Sequence, residues 1–131
     1  MSDEKNVEVI EDLDDKDIGY RHGSAHLSTL LGFLYPILSL GAPLLMHLLS
    51  DDKKLKLHAA KAFNFQVLVA LLMFPLGYFA PMFESLVKVF SAMAIFIQAA
   101  SLLLVIFNTV QAVRKKDPNY FVSVPILPLK K

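Results

Sequence analysis

The chain has no cysteine, so neither a disulfide framework nor a thiolate metal site is open to it; that absence says nothing about compartment. Catalytic signatures are missing too. No Ser-His-Asp arrangement, phosphate-binding glycine loop or nucleic-acid footprint can be found. The amino end lacks the basic start and short apolar run of a secretory signal. There is no internal repeat and no low-complexity tract. The long apolar runs hold no Asp, Glu, Lys or Arg, which removes the usual acids and bases from membrane depth. The expectation is that the protein is not an enzyme, uses no cofactor and has no small-molecule substrate.

What is present is apolar mass. Hydrophobic residues make up 55% of 131 positions, and the mean hydropathy is +0.50. A soluble domain this small buries too little surface to hide so much of it. Lipid is the natural solvent for the remainder.

Three uncharged runs stand out, at about 26–49, 62–83 and 89–113. The first holds 23 residues from Leu27 to Leu49 without a formal charge, about 35 Å as a helix against a hydrocarbon core of about 30 Å. The expected fold is therefore all-α: a polytopic integral membrane protein with about three transmembrane helices. Before the second run, Lys54, His58 and Lys61 recur at helical spacing and predict a short interfacial helix feeding into that span. Lys61 is expected at headgroup depth.

Flanking segments divide the chain. Residues 1–24 carry eight acids and lack an apolar period, and are expected to form a disordered acidic tail. Residues 25–116 form the transmembrane domain. Residues 117–131 contain three prolines and are expected to be extended. With three crossings, the first loop and carboxyl tail share a side and hold nine of the Lys and Arg residues. The positive-inside rule then puts the amino terminus outside and the carboxyl terminus in the cytoplasm of a cell membrane.

Each run has one face of small or polar residues. Gln98, Ser101 and Asn108 lie within one arc of the third, and such groups tie helices together because they cannot be left unpaired in hydrocarbon. His22 and His26 stand at i, i+4, and His47 and His58 flank one loop, yet two ligands do not make a metal site; none is expected.

The run from His26 to Pro36, His-Leu-Ser-Thr-Leu-Leu-Gly-Phe-Leu-Tyr-Pro, and the segment His58-Ala59-Ala60-Lys61-Ala62-Phe63-Asn64-Phe65-Gln66 resemble a family of small bacterial membrane proteins of unknown function. That family is described as similar to a chloroplast inner-envelope protein-import component. The resemblance covers roughly residues 25–130 and implies a multi-pass helical fold, with no activity to carry over. In the segment itself, His58, Lys61, Asn64 and Gln66 are the candidate contacts to a partner or to anionic lipid headgroups.

The function expected from these readings is that of a small non-enzymatic accessory or regulatory protein, immunity proteins included. It would act through the bilayer and another membrane protein or its own copies, without nucleic acid. An oligomeric pore former of the holin or translocation-channel type is the alternative.

Overall fold

The computed structural model describes residues 17–33, 36–117, 120 and 123–128, and among them every regular element is helical. Helix α1 covers 17–27 and runs into a 3-10 segment, Ser28–Phe33. Then come α2 (Pro36–Leu49), α3 (Lys53–Phe79), two 3-10 turns (Ala80–Met82 and Glu84–Leu86) and α4 (Val87–Val113).

The boundaries follow from local chemistry. The Asp52 carboxylate accepts from the amides of Lys54 and Leu55 at 2.8 and 3.2 Å, the N-cap pattern that satisfies orphan donors of a first helical turn. From that cap α3 runs unbroken for 27 residues, with Pro75 inside it. The interfacial helix expected before the second span is thus the first turns of one continuous helix. Past Phe79, Pro81 sits in a 3-10 turn and Phe83 leaves the helical region at φ −127°, ψ 79°, which reverses the chain. Helix α4 stops at Val113 through a Schellman-type ending. Lys116 N–H donates to Gln111 O and Lys115 N–H to Ala112 O, both at 2.9 Å, with Lys115 left-handed at φ 59°.

Among the described residues two helices are long and apolar enough to cross a membrane, Lys53–Met82 and Glu84–Val113. Only 17% and 11% of their most apolar stretches are buried, whereas a core helix of a soluble protein would be mostly covered. The first apolar run behaves differently. It was expected to cross as one helix over 26–49, but α1 ends at 27, a 3-10 segment intervenes, and α2 has 14 residues. That is about 21 Å, short of the hydrocarbon thickness. Pro36 is part of the reason: proline has no amide to continue a preceding helix but suits the first turn of a new one.

Helix α1 itself falls partly in the stretch expected to be a disordered tail. Residues 1–16 of that stretch lie outside the described residues, while 17–24 are helical. Glycine makes this packing possible. A Cβ on Gly19 would meet the Val113 carbonyl oxygen at 2.7 Å, and one on Gly23 would meet Val113 Cγ2 at 3.1 Å. Helix α1 therefore rests directly on the end of α4.

Packing is concentrated at one end of the molecule. Phe65, Val69, Val105 and Tyr120 form one buried cluster, and Ala25, Leu55 and Ala59 another. Ala59, Ala60, Ala62 and Ala112 are completely covered, so small side chains let the backbones approach. Beyond about Ala70 on α3 and before about Ile97 on α4, large side chains such as Phe74, Ile95 and Phe96 lie mostly exposed, each at 70% or more. A packed head thus continues into a bare apolar hairpin stem.

Candidate functional site

Inside the head lies a chain of mostly buried polar side chains. Helix α1 supplies His22 and His26 from one face, one turn apart. The α2–α3 connection supplies Asp52, α3 supplies His58, and the carboxyl-terminal segment supplies Tyr120. His22 Nε2 lies 2.8 Å from Asp52 Oδ2. The His22 ring stacks on His58 with centroids 5.0 Å apart. His58 Nδ1 lies 2.9 Å from His26 Nε2, and His26 Nδ1 lies 2.8 Å from the Tyr120 hydroxyl. Tyr120 also stacks on Phe65 at 4.5 Å. His22, His26 and His58 are each at most 3% exposed.

Burial sets the charge of this chain. It is the largest influence holding the His26 imidazole down to about 3, followed by His58, Lys61 and His22 nearby, so His26 is neutral near pH 7. A neutral imidazole has one N–H, and each of the two contacts to His26 shares a single hydrogen. Burial likewise raises the Tyr120 phenol, keeping it an O–H. For Asp52 burial acts upward, but the bonds from His22 and from the Leu55 and Lys54 amides outweigh it and hold the carboxyl below its ordinary value.

The carboxyl-terminal segment is fastened at a second point. Residues 123–128 have no regular secondary structure. The Asn64 side chain is fully buried. Its Oδ1 accepts from the amides of Ile126 and Leu127 at 3.2 and 2.8 Å, and its Nδ2 donates to Leu127 O at 3.1 Å. An amide side chain pairing with backbone in this way stands in for a strand neighbour.

The residues singled out from the sequence separate into three groups. His58 and Asn64, expected at a partner or lipid surface, are interior: one joins the rings and the other binds the chain's own tail. Lys61 is half-buried beside them. Gln66, at 9% exposure, lines a cleft of about 370 Å³ together with Gln98 and Ser101. The Ser101 hydroxyl donates to Ile97 O at 2.7 Å. Asn108 is fully covered, its Nδ2 donating to Leu104 O at 2.9 Å. His47 does not join His58; its Nδ1 donates to Lys56 O at 3.0 Å. Among the described residues no three or more His, Cys, Asp or Glu side chains are arranged to hold a metal ion.

Sequence reasoning missed Asp52, Tyr120 and the tail-binding role of Asn64. The i, i+4 pair His22 and His26 was the available signal for the rings. Gly19-Tyr20-Arg21-His22-Gly23, two glycines four apart, was the signal for the packing beneath them.

These features define a small helical membrane protein whose packed head is closed by α1 and the segment after α4. Residues 22–127 match the magnetosome magnetite crystal formation protein family (MamF/MmsF), and the chain belongs to that family. The range opens at His22 and closes at Leu127, and so takes in the ring chain and both fastenings of the tail. No curated protein and no solved structure matches the chain. The match overturns the resemblance to import-component-like proteins. One of the two segments that carried it, His58 to Gln66, is a packing segment whose alanines, Asn64 and Phe65 are buried; apolar and small residues at helical spacing recur wherever membrane helices meet.

Proposed function

We propose that the chain serves magnetite crystal formation as a non-enzymatic, membrane-embedded accessory protein, acting through a membrane partner or further copies of itself. The family match supports the link to crystal formation, and one structural observation supports the membrane-embedded accessory role: the division into a closed head and a bare apolar stem. The head's histidines are spent on one another, on Asp52 and on Tyr120, which suits a structural core better than a reaction centre. The stem offers Phe74, Tyr78, Ile95 and Phe96 outward, where lipid or another helix would cover them.

The same division suggests a topology. His26 touches Tyr120, and Gly19 rests on Val113, so α1 and the carboxyl-terminal segment share one end of the α3–α4 hairpin. In this reading α1, the 3-10 segment and α2 form a re-entrant unit beside two crossings, in place of a first crossing. Of the described lysines and arginines only Lys88 lies at the hairpin's far end, and the positive-inside rule then favours a cytoplasmic head. The outside amino terminus expected earlier depended on three crossings.

Replacing the gene in a magnetosome-forming bacterium tests the function. Crystals of altered size or number, restored by the parent chain, are expected; unchanged crystals would overturn the proposal. Reporters fused at either end should both be active in the cytoplasmic assay, and opposite results at the two ends would defeat the two-crossing topology. Ion leakage on expression would favour a pore.

A further inference from the structure

We propose that the cleft between α2 and α4 is a binding site for an uncharged, hydroxyl-bearing, long-chain amphiphile. It measures about 370 Å³, within the size range of small-molecule sites. Helices α2, α3 and α4 and the 3-10 segment line it, and among the described residues the α2 and α4 backbones do not approach each other. The thirteen lining residues include no Asp, Glu, Lys, Arg or His, so a charged headgroup would find no counter-charge there.

Its polar groups are amides and hydroxyls, and they differ in how they are occupied. Thr29 Oγ1 donates to His26 O at 2.6 Å and Ser101 Oγ to Ile97 O at 2.7 Å. Gln66 and Gln98 have no hydrogen-bond partner among the described residues. Gln66 is nine-tenths buried, at 9% exposure, and lines the cleft. An amide without a partner is costly in a hydrocarbon setting, where water does not satisfy it. Each carboxamide offers a carbonyl acceptor beside an N–H donor. A hydroxyl matches both, donating to Oε1 and accepting from Nε2–H.

Depth and shape agree with such a ligand. Gln66 lies five residues past Lys61 on α3, about 7.5 Å further along the helix axis, just below the level where a lysine reaches for headgroups. Hydroxyls of membrane amphiphiles settle at that boundary. Leu40, Val69, Met73 and Leu102 supply the apolar wall, suited to a hydrocarbon chain. Ile37 at the rim is 77% exposed, which leaves a side way in from lipid. The site is independent of any role in crystal formation and requires only that the chain be embedded in a bilayer.

Photolabelling of the full chain in phosphatidylcholine nanodiscs tests it. Three diazirine probes of equal length are used: a hexadecanol, a hexadecane and a hexadecanoic acid. The alcohol should label peptides containing Met73 and Leu102 about ten-fold above the other two, a margin of about 1.4 kcal/mol. Unlabelled hexadecanol should compete it away. Gln66→Leu with Gln98→Leu should remove the preference for the alcohol. Ala70→Phe, at an exposed position lining the cleft, should abolish labelling by filling the space, and it carries the test should the glutamine variant fail to insert. Equal labelling by alcohol and alkane would overturn the proposal. So would labelling indifferent to Ala70→Phe, preference for the acid, or cross-links between two copies of the chain through the cleft.

Discussion

The Tyr120 hydroxyl sits 2.8 Å from His26 Nδ1, joining residues 94 positions apart across the buried centre of the head. One bond thereby couples α1 to the segment that follows α4. Tyr120→Phe keeps the stacking on Phe65 and removes only the hydroxyl, leaving a buried imidazole nitrogen without its partner. The expected loss is about 1–3 kcal/mol, read as a lower thermal midpoint in detergent. An unchanged midpoint would mean that the bond contributes nothing.

Asn64 makes three bonds to one short stretch of backbone. Asn64→Leu should free that stretch while α3 stays helical. Hydrogen exchange at the Ile126 and Leu127 amides then speeds up, by about 5- to 150-fold if 1–3 kcal/mol is lost. Exchange as slow as in the parent would show that apolar contacts alone hold the tail.

Acid should loosen the head. His26 is held at about 3 in the fold by burial, against about 6.5 when unfolded. Between those values the unfolded chain binds the extra proton, so stability falls as pH drops from about 6.5 towards 3, at no more than about 1.4 kcal/mol per pH unit for this group. Asp52, whose carboxyl is lowered in the fold, loses its contribution in the same direction at the acid end. Thermal midpoints at pH 7.5, 6 and 5 should decline in order, and less steeply in His26→Asn. A flat profile would contradict a neutral buried His26.

Glycine contacts give a prediction with an internal control. Gly19→Val places a side chain where the Val113 carbonyl oxygen stands 2.7 Å from the added Cβ, and should displace α1 at a cost of about 1–3 kcal/mol. Gly41→Ala meets nothing within 4 Å and should be neutral or stabilising by up to about 1 kcal/mol. Equal effects from both substitutions would deny the close approach of α1 and α4.

Periodicity and charge were enough to identify the helical class, the membrane setting and the two long helices. Those depend on runs of neighbours: 25 uncharged residues from Val89 to Val113 stay helical in lipid because no other conformation satisfies their backbone. Other features depended on partners distant in sequence. The stretch 17–24 looks unordered when read alone, because its order comes from Gly19 and Gly23 against α4 and from His22 against Asp52. The first apolar run satisfies the length test for a span, yet its α-helix gives way to a 3-10 segment at Ser28 and α2 packs back on α3. His58 and Asn64 stood out as costly polar groups at a boundary; that cost is offset inside the fold, by His26 and by the tail backbone. Composition along a chain fixes which solvent a segment can tolerate, since transfer free energy is a property of the residues themselves. Which partner satisfies a buried polar group is fixed only when distant segments meet, because a hydrogen bond requires two atoms within about 3 Å and an arrangement in sequence does not specify that distance.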